Sequence, residues 1–150
     1  MSKIALIASS GGHLYQLSTL SEFWGNKERF WVSFPTEDAK FLLKDEKVYW
    51  AYYPTNRSIK NLIKNLFLSI KILRYERPTA IISTGAGIAV PFLFTGRLMN
   101  IKTLYLESIT RNKELSLSAR IIYPFVKELL VQWPELAEKN TKLKFKGRII

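Results

Sequence analysis

The sequence has no cysteine and only one histidine among its 150 residues. The absence of cysteine excludes both a disulfide framework and a thiolate metal site, and it is typical of proteins in a reducing compartment. One histidine cannot supply the usual ligands of zinc, so we expect no metal, and we also expect no cofactor. With 47% hydrophobic residues the chain can bury one continuous core, which predicts a single domain over residues 1–150.

Acidic residues are scarce as well, with 12 Asp and Glu against 23 Lys and Arg and a formal net charge of +11. So large a positive charge predicts attraction to an anionic partner. Composition alone leaves nucleic acid, acidic phospholipid and phosphorylated substrates open.

Long hydrophobic runs are nearly absent. The charge-free span "TAIISTGAGIAVPFLFTG", residues 79–96, approaches membrane length but is interrupted by Gly-Ala-Gly and by Pro91. These interruptions favour a buried strand, a turn and a helix over a transmembrane helix. The first ten residues, "MSKIALIASS", carry one charged side chain and no small-residue cleavage site, so we do not expect a signal peptide.

The sequence does contain short β-branched or aromatic runs that alternate with longer helical patterns, which indicates βαβ units around a parallel sheet. Strands are predicted at residues 3–8, 29–34, 48–52, 80–83, 103–106, 129–131 and 144–146. Helices are predicted at residues 13–24, 37–43, 58–75, 88–99 and 115–125. The predicted fold class is α/β, a Rossmann-like parallel sheet sandwich. Ligands should then collect at the carboxyl ends of the strands, where the order reverses between the first strand and the fourth.

Two glycine-rich turns, "SSGGHL" and "STGAG", follow the first and fourth predicted strands. Each turn leads into a helix whose N-terminal amides can hold an oxygen-rich ligand, with His13 facing the crevice. Alternatively, the glycines only permit the turn and His13 caps it, because the full pattern G-x-G-x-x-G is missing. The candidate ligand-binding residues of the two turns are Ser10, Gly11, Gly12, Ser83, Thr84, Gly85 and Gly87.

A candidate charged pair lies in "LYLESITRN". Glu107 directly follows the fifth predicted strand, so its carboxylate should lie at the same edge of the sheet. Arg111 follows one helical turn later as a partner or a phosphate contact. The alternative is a surface ion pair, which would stabilise the fold only slightly.

The segment 57–77, "RSIKNLIKNLFLSIKILRYER", predicts a basic amphipathic helix. The stripe expected to pack on the sheet consists of Ile59, Leu62, Ile63, Leu66, Ile70 and Leu73. The cationic side holds Arg57, Lys60, Lys64, Lys71 and Arg74, with Phe67, Leu68 and Ile72 on or beside it. Apolar residues among lysines predict contact with an anionic membrane surface, and a solvated basic helix is the alternative. Nucleic acid is not expected, because the aromatic residues do not form a stacking platform on a strand.

Four motifs in this order, "SSGGHL", "STGAG", "YLES" followed by Arg111, and "VQWPEL" at residues 131–136, resemble a known family. It comprises the acceptor-side, membrane-associating subunits of two-part UDP-sugar transferases, and the resemblance covers residues 3–147. The eukaryotic member is part of the endoplasmic-reticulum enzyme that adds the second N-acetylglucosamine to a dolichol-linked carrier. Bacterial relatives serve capsule and exopolysaccharide synthesis.

The resemblance implies the fold of the N-terminal half of a GT-B glycosyltransferase. In the one-chain relative that makes lipid II, that half docks on the membrane and receives the lipid-linked acceptor, while the other half binds the UDP-sugar. A heterodimer with a donor-binding subunit and a lipid-linked saccharide acceptor of undecaprenyl type is therefore implied. The eukaryotic member's N-terminal anchor is not found in this sequence, so we expect a bacterial cytoplasmic protein at the inner face of the cell membrane.

Within this family the resemblance implies catalytic roles for His13 and Glu107 in an inverting transfer. Histidine titrates close to neutral pH and can take the proton of the acceptor hydroxyl. Glu107 lies where a carboxylate would orient the base or the acceptor, and which of the two residues is the base stays open. We expect the carrier pyrophosphate near Arg111 or the glycine-turn amides. We also expect "KLKFKGRII", with the apolar Ile149 and Ile150, at the partner interface.

Two other functions stay open. The chain could be a scaffold that anchors a catalytic partner without contributing chemistry. It could also be a free-standing nucleotide-binding protein, although Glu37 and Asp38 begin a helix and do not directly follow the second strand, where an acid would hold a ribose. The donated sugar, whether galactose, glucose, glucuronic acid or N-acetylglucosamine, also stays open.

Overall fold

The computed structural model describes residues 2–55 and 57–148. Seven parallel strands form one sheet in the order β3-β2-β1-β4-β5-β6-β7. The strands are β1 Lys3–Ala8, β2 Glu28–Ser33, β3 Val48–Trp50, β4 Ala80–Gly85, β5 Lys102–Leu106, β6 Glu128–Val131 and β7 Leu143–Phe145. All seven predicted strands are present, and the order reverses between β1 and β4 as expected.

Helices cover both faces of the sheet and confirm the Rossmann-like α/β sandwich. They are α1 Gly12–Ser18, α2 Ser21–Trp24, α3 Glu37–Leu42, α4 Ile59–Glu76, α5 Ala89–Leu98, α6 Leu117–Ile122 and α7 Pro134–Ala137. Helices α4, α5 and α6 share the larger core, which includes Phe92 and Tyr105. Helices α1 and α3 pack on the opposite face with Leu6 and Trp31.

Two helical predictions differ from the structure, and one short helix was not predicted. The predicted helix 13–24 breaks into α1 and α2 at a tight turn, in which the Leu20 amide donates to the Leu17 carbonyl. The predicted helix 115–125 starts only at Leu117, after the N-cap Ser116, and ends in the 3-10 helix Tyr123–Phe125, whose Pro124 has no amide to donate. The sequence patterns do not predict α7, which has only four residues.

Helix α4 faces the protein with a different side from the predicted one. Three members of the predicted core stripe, Ile59, Leu62 and Ile63, are exposed, so this part of the prediction is wrong. The buried residues of α4 are Asn65, Ser69, Ile72, Leu73 and Glu76.

Polar side chains occupy this buried side because each has hydrogen-bond partners. Asn65 pairs with the backbone of Tyr52, accepting from its N–H and donating to its carbonyl, both at 2.9 Å. Ser69 Oγ lies 2.7 Å from Thr95 Oγ1. Apolar periodicity does not detect polar groups that are buried with partners, and this is why the predicted face is wrong.

Glu76 fixes the C-terminal end of α4 to the sheet. Its carboxylate accepts hydrogen bonds from Lys3 Nζ at 2.9 Å and Tyr49 Oη at 2.5 Å, and it pairs with Lys47 Nζ at 2.5 Å. Burial raises the pKa of this carboxyl, but hydrogen bonds from Lys47, Tyr49 and Lys3 outweigh burial and lower the pKa to about 2. In the stretches 2–55 and 57–148, no helix is both long and apolar enough to cross a membrane.

Candidate functional site

A cavity of about 700 Å³ opens at the carboxyl edge of the sheet, beside the N-terminal ends of α4, α5 and α6. Its lining includes His13, Gly87, Glu107 and Arg111, all of which were candidates from the sequence. The two glycine turns are adjacent: the Ser9 amide donates to the Gly85 carbonyl at 2.7 Å. The topology therefore brings the separate motifs to one site, as expected for a sheet of this strand order.

His13 is held by the second glycine turn. Its Nδ1 lies 2.9 Å from the Thr84 backbone oxygen, and Thr84 Oγ1 donates to the His13 carbonyl at 2.6 Å. A carbonyl only accepts hydrogen bonds, so Nδ1 carries the proton and Nε2 keeps its lone pair. Nε2 has no hydrogen-bond partner among the described residues, and it is therefore free to accept a proton.

At two positions of the second turn, neighbouring atoms lie too close to allow any side chain larger than that of glycine. A Cβ on Gly85, whose φ is +104°, would lie 2.8 Å from Tyr105 Oη and 3.2 Å from His13 Nδ1. A Cβ on Gly87 would lie 2.8 Å from Thr55 Oγ1 in the loop before α4. Both glycines let neighbouring groups approach the turn closely and so shape the cavity wall.

Glu107 lines the cavity, but its carboxylate is buried and bonded. Oε1 accepts from the Ser108 amide at 2.9 Å and from Ser116 Oγ at 3.1 Å, and Oε2 accepts from the Ser116 amide at 2.8 Å. No salt bridge joins Glu107 to Arg111 within the described part of the chain, so the surface ion pair is not formed. This geometry suits a group that holds the loop after β5 better than a mobile base.

The glycines of the first turn are exposed, but the first glycine amide already has a hydrogen-bond partner in the protein. The Gly11 N–H donates to Asp38 Oδ2 at 3.0 Å. The nearby Thr36 hydroxyl and this amide hold the pKa of Asp38 below its usual range, although burial opposes them. An anionic ligand at this amide would have to displace a carboxylate, which disfavours the glycine-turn amides as a phosphate site. The lining of the cavity does not include Ser10, Gly11 or Gly12.

The hydroxyls of Ser83 and Thr84, predicted as donors to a ligand, point to protein groups instead. Both residues are buried. Ser83 Oγ accepts from the Gly85 amide at 3.1 Å, and Thr84 Oγ1 is bonded to the His13 carbonyl. These two residues do not line the cavity, because the Ser83 hydroxyl is bonded within the second turn and the Thr84 hydroxyl joins that turn to the start of α1.

Two arginines face the cavity. Arg111 was predicted there, whereas Arg57 was assigned to the cationic side of the basic helix and lies just before its first residue. Neither guanidinium forms a salt bridge with any residue in 2–55 or 57–148. The pair gives the cavity a positive charge that suits a phosphate-bearing ligand.

Exposed apolar side chains surround the cavity mouth and continue along α4. This apolar rim consists of Ile59, Leu62, Ile63, Phe67, Leu117 and Ile121. Ile59 and Leu117, from α4 and α6, are 74% and 72% exposed and also line the cavity. Contiguous exposed apolar residues of this kind mark a surface that contacts a protein or a membrane.

The predicted membrane residues are only partly exposed. Phe67 is 67% exposed, but Ile72 is 3% exposed and belongs to the larger core, so its prediction is wrong. Leu68 is half-buried against the same core. The predicted cations Lys60, Lys64, Lys71 and Arg74 are all exposed.

Gln132 lies in the motif "VQWPEL" that carries the family resemblance, but the sequence assigned it no role; it directly follows β6 and is fully buried. Sequence reasoning also missed Tyr105, whose hydroxyl lies beside Gly85 and whose pKa is raised by burial and by the charge of Glu107. The rule that identified Glu107, a polar residue at the carboxyl end of a strand, also applies to Gln132.

Comparison with known proteins agrees with this architecture. The crystal structure of Acinetobacter baumannii MurG superimposes with a TM-score of 0.80 at 17% identity, covering 97% of this chain and 46% of that chain. At this identity the likeness concerns the fold, which matches one half of a GT-B glycosyltransferase.

The sequence comparisons are more specific. A UDP-N-acetylglucosamine transferase subunit alg14 from Schizosaccharomyces pombe is 41% identical over 75 residues, which are 47% of this chain and about a third (36%) of that protein. The human UDP-N-acetylglucosamine transferase subunit ALG14 is 26% identical over 98% of this chain and 82% of its own length. A family model described as "Oligosaccharide biosynthesis protein Alg14 like" matches residues 47–149. The chain therefore belongs to the Alg14-like family of oligosaccharide biosynthesis proteins.

Proposed function

We propose that this chain is the acceptor-binding subunit of a bipartite, inverting UDP-sugar glycosyltransferase that works at a membrane surface. The observation that carries the proposal is the cavity at which His13, the apolar rim and two arginines without a salt bridge to any residue in 2–55 or 57–148 meet. This combination fits a sugar acceptor that is linked through pyrophosphate to a lipid. His13 suits the sugar hydroxyl, the arginines suit the pyrophosphate, and the apolar rim suits the lipid.

The proposed chemistry uses His13 as the general base. The acceptor hydroxyl oxygen attacks the anomeric carbon of the UDP-sugar, the bond from that carbon to UDP breaks, and UDP leaves with the electron pair. The hydroxyl proton passes to Nε2 of His13, because Nδ1–H is held by the Thr84 carbonyl. The hydrogen bonds of the Glu107 carboxylate to the loop after β5 support a positioning role for this residue.

The pyrophosphate of the acceptor is proposed to lie between Arg57 and Arg111. Both line the cavity, and guanidinium groups bind phosphate oxygens in pairs. The lipid would leave the cavity over Ile59 and Leu117 toward the bilayer. The same rim would rest in the lipid boundary, with Lys60, Lys64, Lys71 and Arg74 at anionic headgroups.

A donor-binding partner subunit is part of the proposal, since the related proteins are named as transferase subunits. Its interface was predicted in "KLKFKGRII"; Ile149 and Ile150 of that segment lie outside the described residues. Lys146, Gly147 and Arg148 border an apolar groove of about 350 Å³ beside Leu20 and Phe23 of the α1–α2 region. This groove supports the predicted location of the interface.

The setting of the reaction is proposed only in general terms. The relatives named above are N-acetylglucosamine transferase subunits, which supports that sugar as the donor residue. Capsule or exopolysaccharide synthesis, an undecaprenyl carrier and a position at the cytoplasmic face of a bacterial membrane stay predictions.

The test is transfer from radiolabelled UDP-N-acetylglucosamine to a prenyl-pyrophosphate-linked sugar by this chain co-purified with its donor-binding partner. We expect transfer by the complex and none by the 150-residue chain alone, which forms one half of the GT-B fold. Transfer by the chain alone would overturn the bipartite arrangement. Near-normal transfer by both the His13→Ala complex and the Glu107→Ala complex would leave a scaffold role only.

A further inference from the structure

The buried amide of Gln132 joins the helix that carries His13 to the loop that carries Glu107. Gln132 Nε2 donates to Gln16 Oε1 at 2.9 Å and to the Glu107 carbonyl at 3.0 Å. Gln16 Nε2 in turn lies 3.3 Å from Ser108 Oγ, to which it donates. Three chain segments, α1, the loop after β5 and the end of β6, therefore meet at one side chain.

Trp133 holds the same loop at a second point. Its indole Nε1–H donates to the Ile109 carbonyl at 2.6 Å. Arg148, from the C-terminal segment, contacts both Gln132 and Trp133. Its Nε donates to the Gln132 carbonyl at 3.0 Å, and its guanidinium lies 4.3 Å from the centre of the Trp133 ring. The loop is thus fixed directly before Thr110 and Arg111, which line the cavity.

This network lies close to the proposed base. Gln16 follows His13 by one turn of α1, so the two side chains lie on the same side of that helix. Hydrogen bonds between buried polar groups fix a single geometry, since a shifted arrangement would leave a buried donor or acceptor unpaired.

We propose that Gln132 is a positioning residue. It fixes the position of the His13 imidazole relative to the cavity wall formed by Glu107 and Arg111. Trp133 assists by holding the loop after β5. The inference rests on the proposed function insofar as this cavity is the acceptor site. Gln132 itself does not touch the acceptor, and it acts through Gln16 and the backbone of the loop.

The chain has one histidine, so the imidazole Cε1–H resonance in an NMR spectrum of the full chain reports His13 alone. Gln132→Met removes the donor while nearly keeping the volume of the side chain. We expect this variant to shift or broaden the His13 resonance. A His13 resonance that coincides with that of the wild type would overturn the proposal.

Thr103→Val is the matched control. Thr103 is buried in the same sheet but at its amino edge, where its hydroxyl donates to the Phe125 carbonyl at 3.3 Å and accepts from the Lys127 amide at 3.1 Å. We expect both variants to lower the melting temperature and only Gln132→Met to move the His13 resonance. An equal displacement in the control would reduce Gln132 to a general structural role and overturn the proposal.

A second variant covers the case in which Gln132→Met does not fold. Gln16→Met removes the same hydrogen bond from a half-buried position and should displace the His13 resonance in the same way. Where both fold, the double variant should show less displacement than the sum of the two single variants, because both changes remove the hydrogen bond between Gln132 and Gln16. An unchanged resonance in Gln16→Met contradicts the proposal.

A ligand-binding experiment tests the proposed acceptor site separately from the role of Gln132. Farnesyl pyrophosphate serves as a soluble probe for the lipid-linked acceptor, and its binding is followed through the His13 resonance. We expect binding to the wild type and an affinity lower by about 10-fold or more in Gln132→Met, since small displacements in a site are costly. If the wild type does not bind the probe, the acceptor site is wrong, while the comparison without ligand still decides the role of Gln132.

Discussion

His13 and Thr84 bind each other twice: Nδ1 of the imidazole donates to the Thr84 carbonyl at 2.9 Å, and the Thr84 hydroxyl donates to the His13 carbonyl at 2.6 Å. The ring is thereby held with Nε2 as its only proton acceptor. The side-chain amide of asparagine can replace the Nδ1–H group but provides no base. His13→Asn should therefore keep the fold and lower the transfer rate of the complex by about 10²- to 10⁴-fold.

The measurement is kcat of the co-purified complex, together with the melting temperature of the variant. Unchanged stability with a large loss of kcat is the expected result. A His13→Asn complex that retains most of its kcat would exclude His13 as the base.

Gly85→Ala should disturb the site through a single methyl group. The new Cβ would lie 2.8 Å from Tyr105 Oη and 3.2 Å from His13 Nδ1, in a residue whose φ is +104°. We expect a loss of stability of roughly 1–3 kcal/mol from the strained backbone, and a transfer rate lower by about 100-fold from the displaced imidazole.

Gly12→Ala is the control for this change. A Cβ on Gly12 meets no atom within 4 Å, and its backbone does not adopt a left-handed conformation. Denaturant unfolding and transfer assays should therefore place Gly12→Ala near the wild type. Equal damage from both alanines would mean that the contacts of Gly85 are not what requires glycine there.

The apolar rim should be needed for membrane binding and not for folding. Ile63 and Phe67 are exposed on α4 and do not line the cavity. Each side chain buried in the lipid boundary stabilises binding by about 1.5–3 kcal/mol, so Ile63→Ser with Phe67→Ser should weaken vesicle binding by about 100-fold or more. Binding should also require phosphatidylglycerol and decrease with salt, through the lysines of α4.

Flotation with vesicles measures this binding. The control double variant is Phe41→Ser with Leu98→Ser, which removes two exposed apolar side chains outside the rim. It should bind vesicles like the wild type. Equal loss in both double variants would show that the rim is not a membrane surface. Equal wild-type binding to neutral and anionic vesicles would show that the lysines of α4 do not contribute to binding.

Glu76 should make stability depend on acid. Its pKa is lowered from 4.5 to about 2 in the folded chain, so its ionised form contributes stability above pH 4.5 that disappears as the pH falls toward 2. The difference corresponds to on the order of 3 kcal/mol at neutral pH. Glu76→Gln should lose this stability at pH 7 and show little of its pH dependence.

Urea unfolding between pH 2 and pH 7 measures the effect, with Glu37→Gln as the control. The Glu37 side chain is 97% exposed and lies 4.0 Å from Lys40, a surface pair of small energy. Parallel stability curves for the wild type and Glu76→Gln across this range would contradict the role of Glu76.

The sequence predicts the strands well, and it also predicts that the site lies at the carboxyl edge of the sheet, because both follow from local patterns. β-branched runs mark the strands, and the glycine turns after β1 and β4 and the carboxylate after β5 meet as the parallel topology requires. The pattern fails where burial depends on partners from elsewhere in the chain. Asn65 is buried because its side-chain amide pairs with the backbone of Tyr52. Ser83 Oγ accepts from the Gly85 amide, and the Thr84 hydroxyl donates to the His13 carbonyl at the start of α1.

The orientation of α4 has a practical consequence for protein engineering. A design that replaces surface residues to make the protein more soluble would, if guided by the sequence pattern, keep Ile63 as part of the predicted core stripe and treat Asn65 as a safe position. The structure indicates the opposite choice. Glutamate at positions 63 and 67 should give a more soluble protein for crystallisation with the fold intact. Leucine at position 65 should prevent folding, because it leaves the Tyr52 amide and carbonyl without partners.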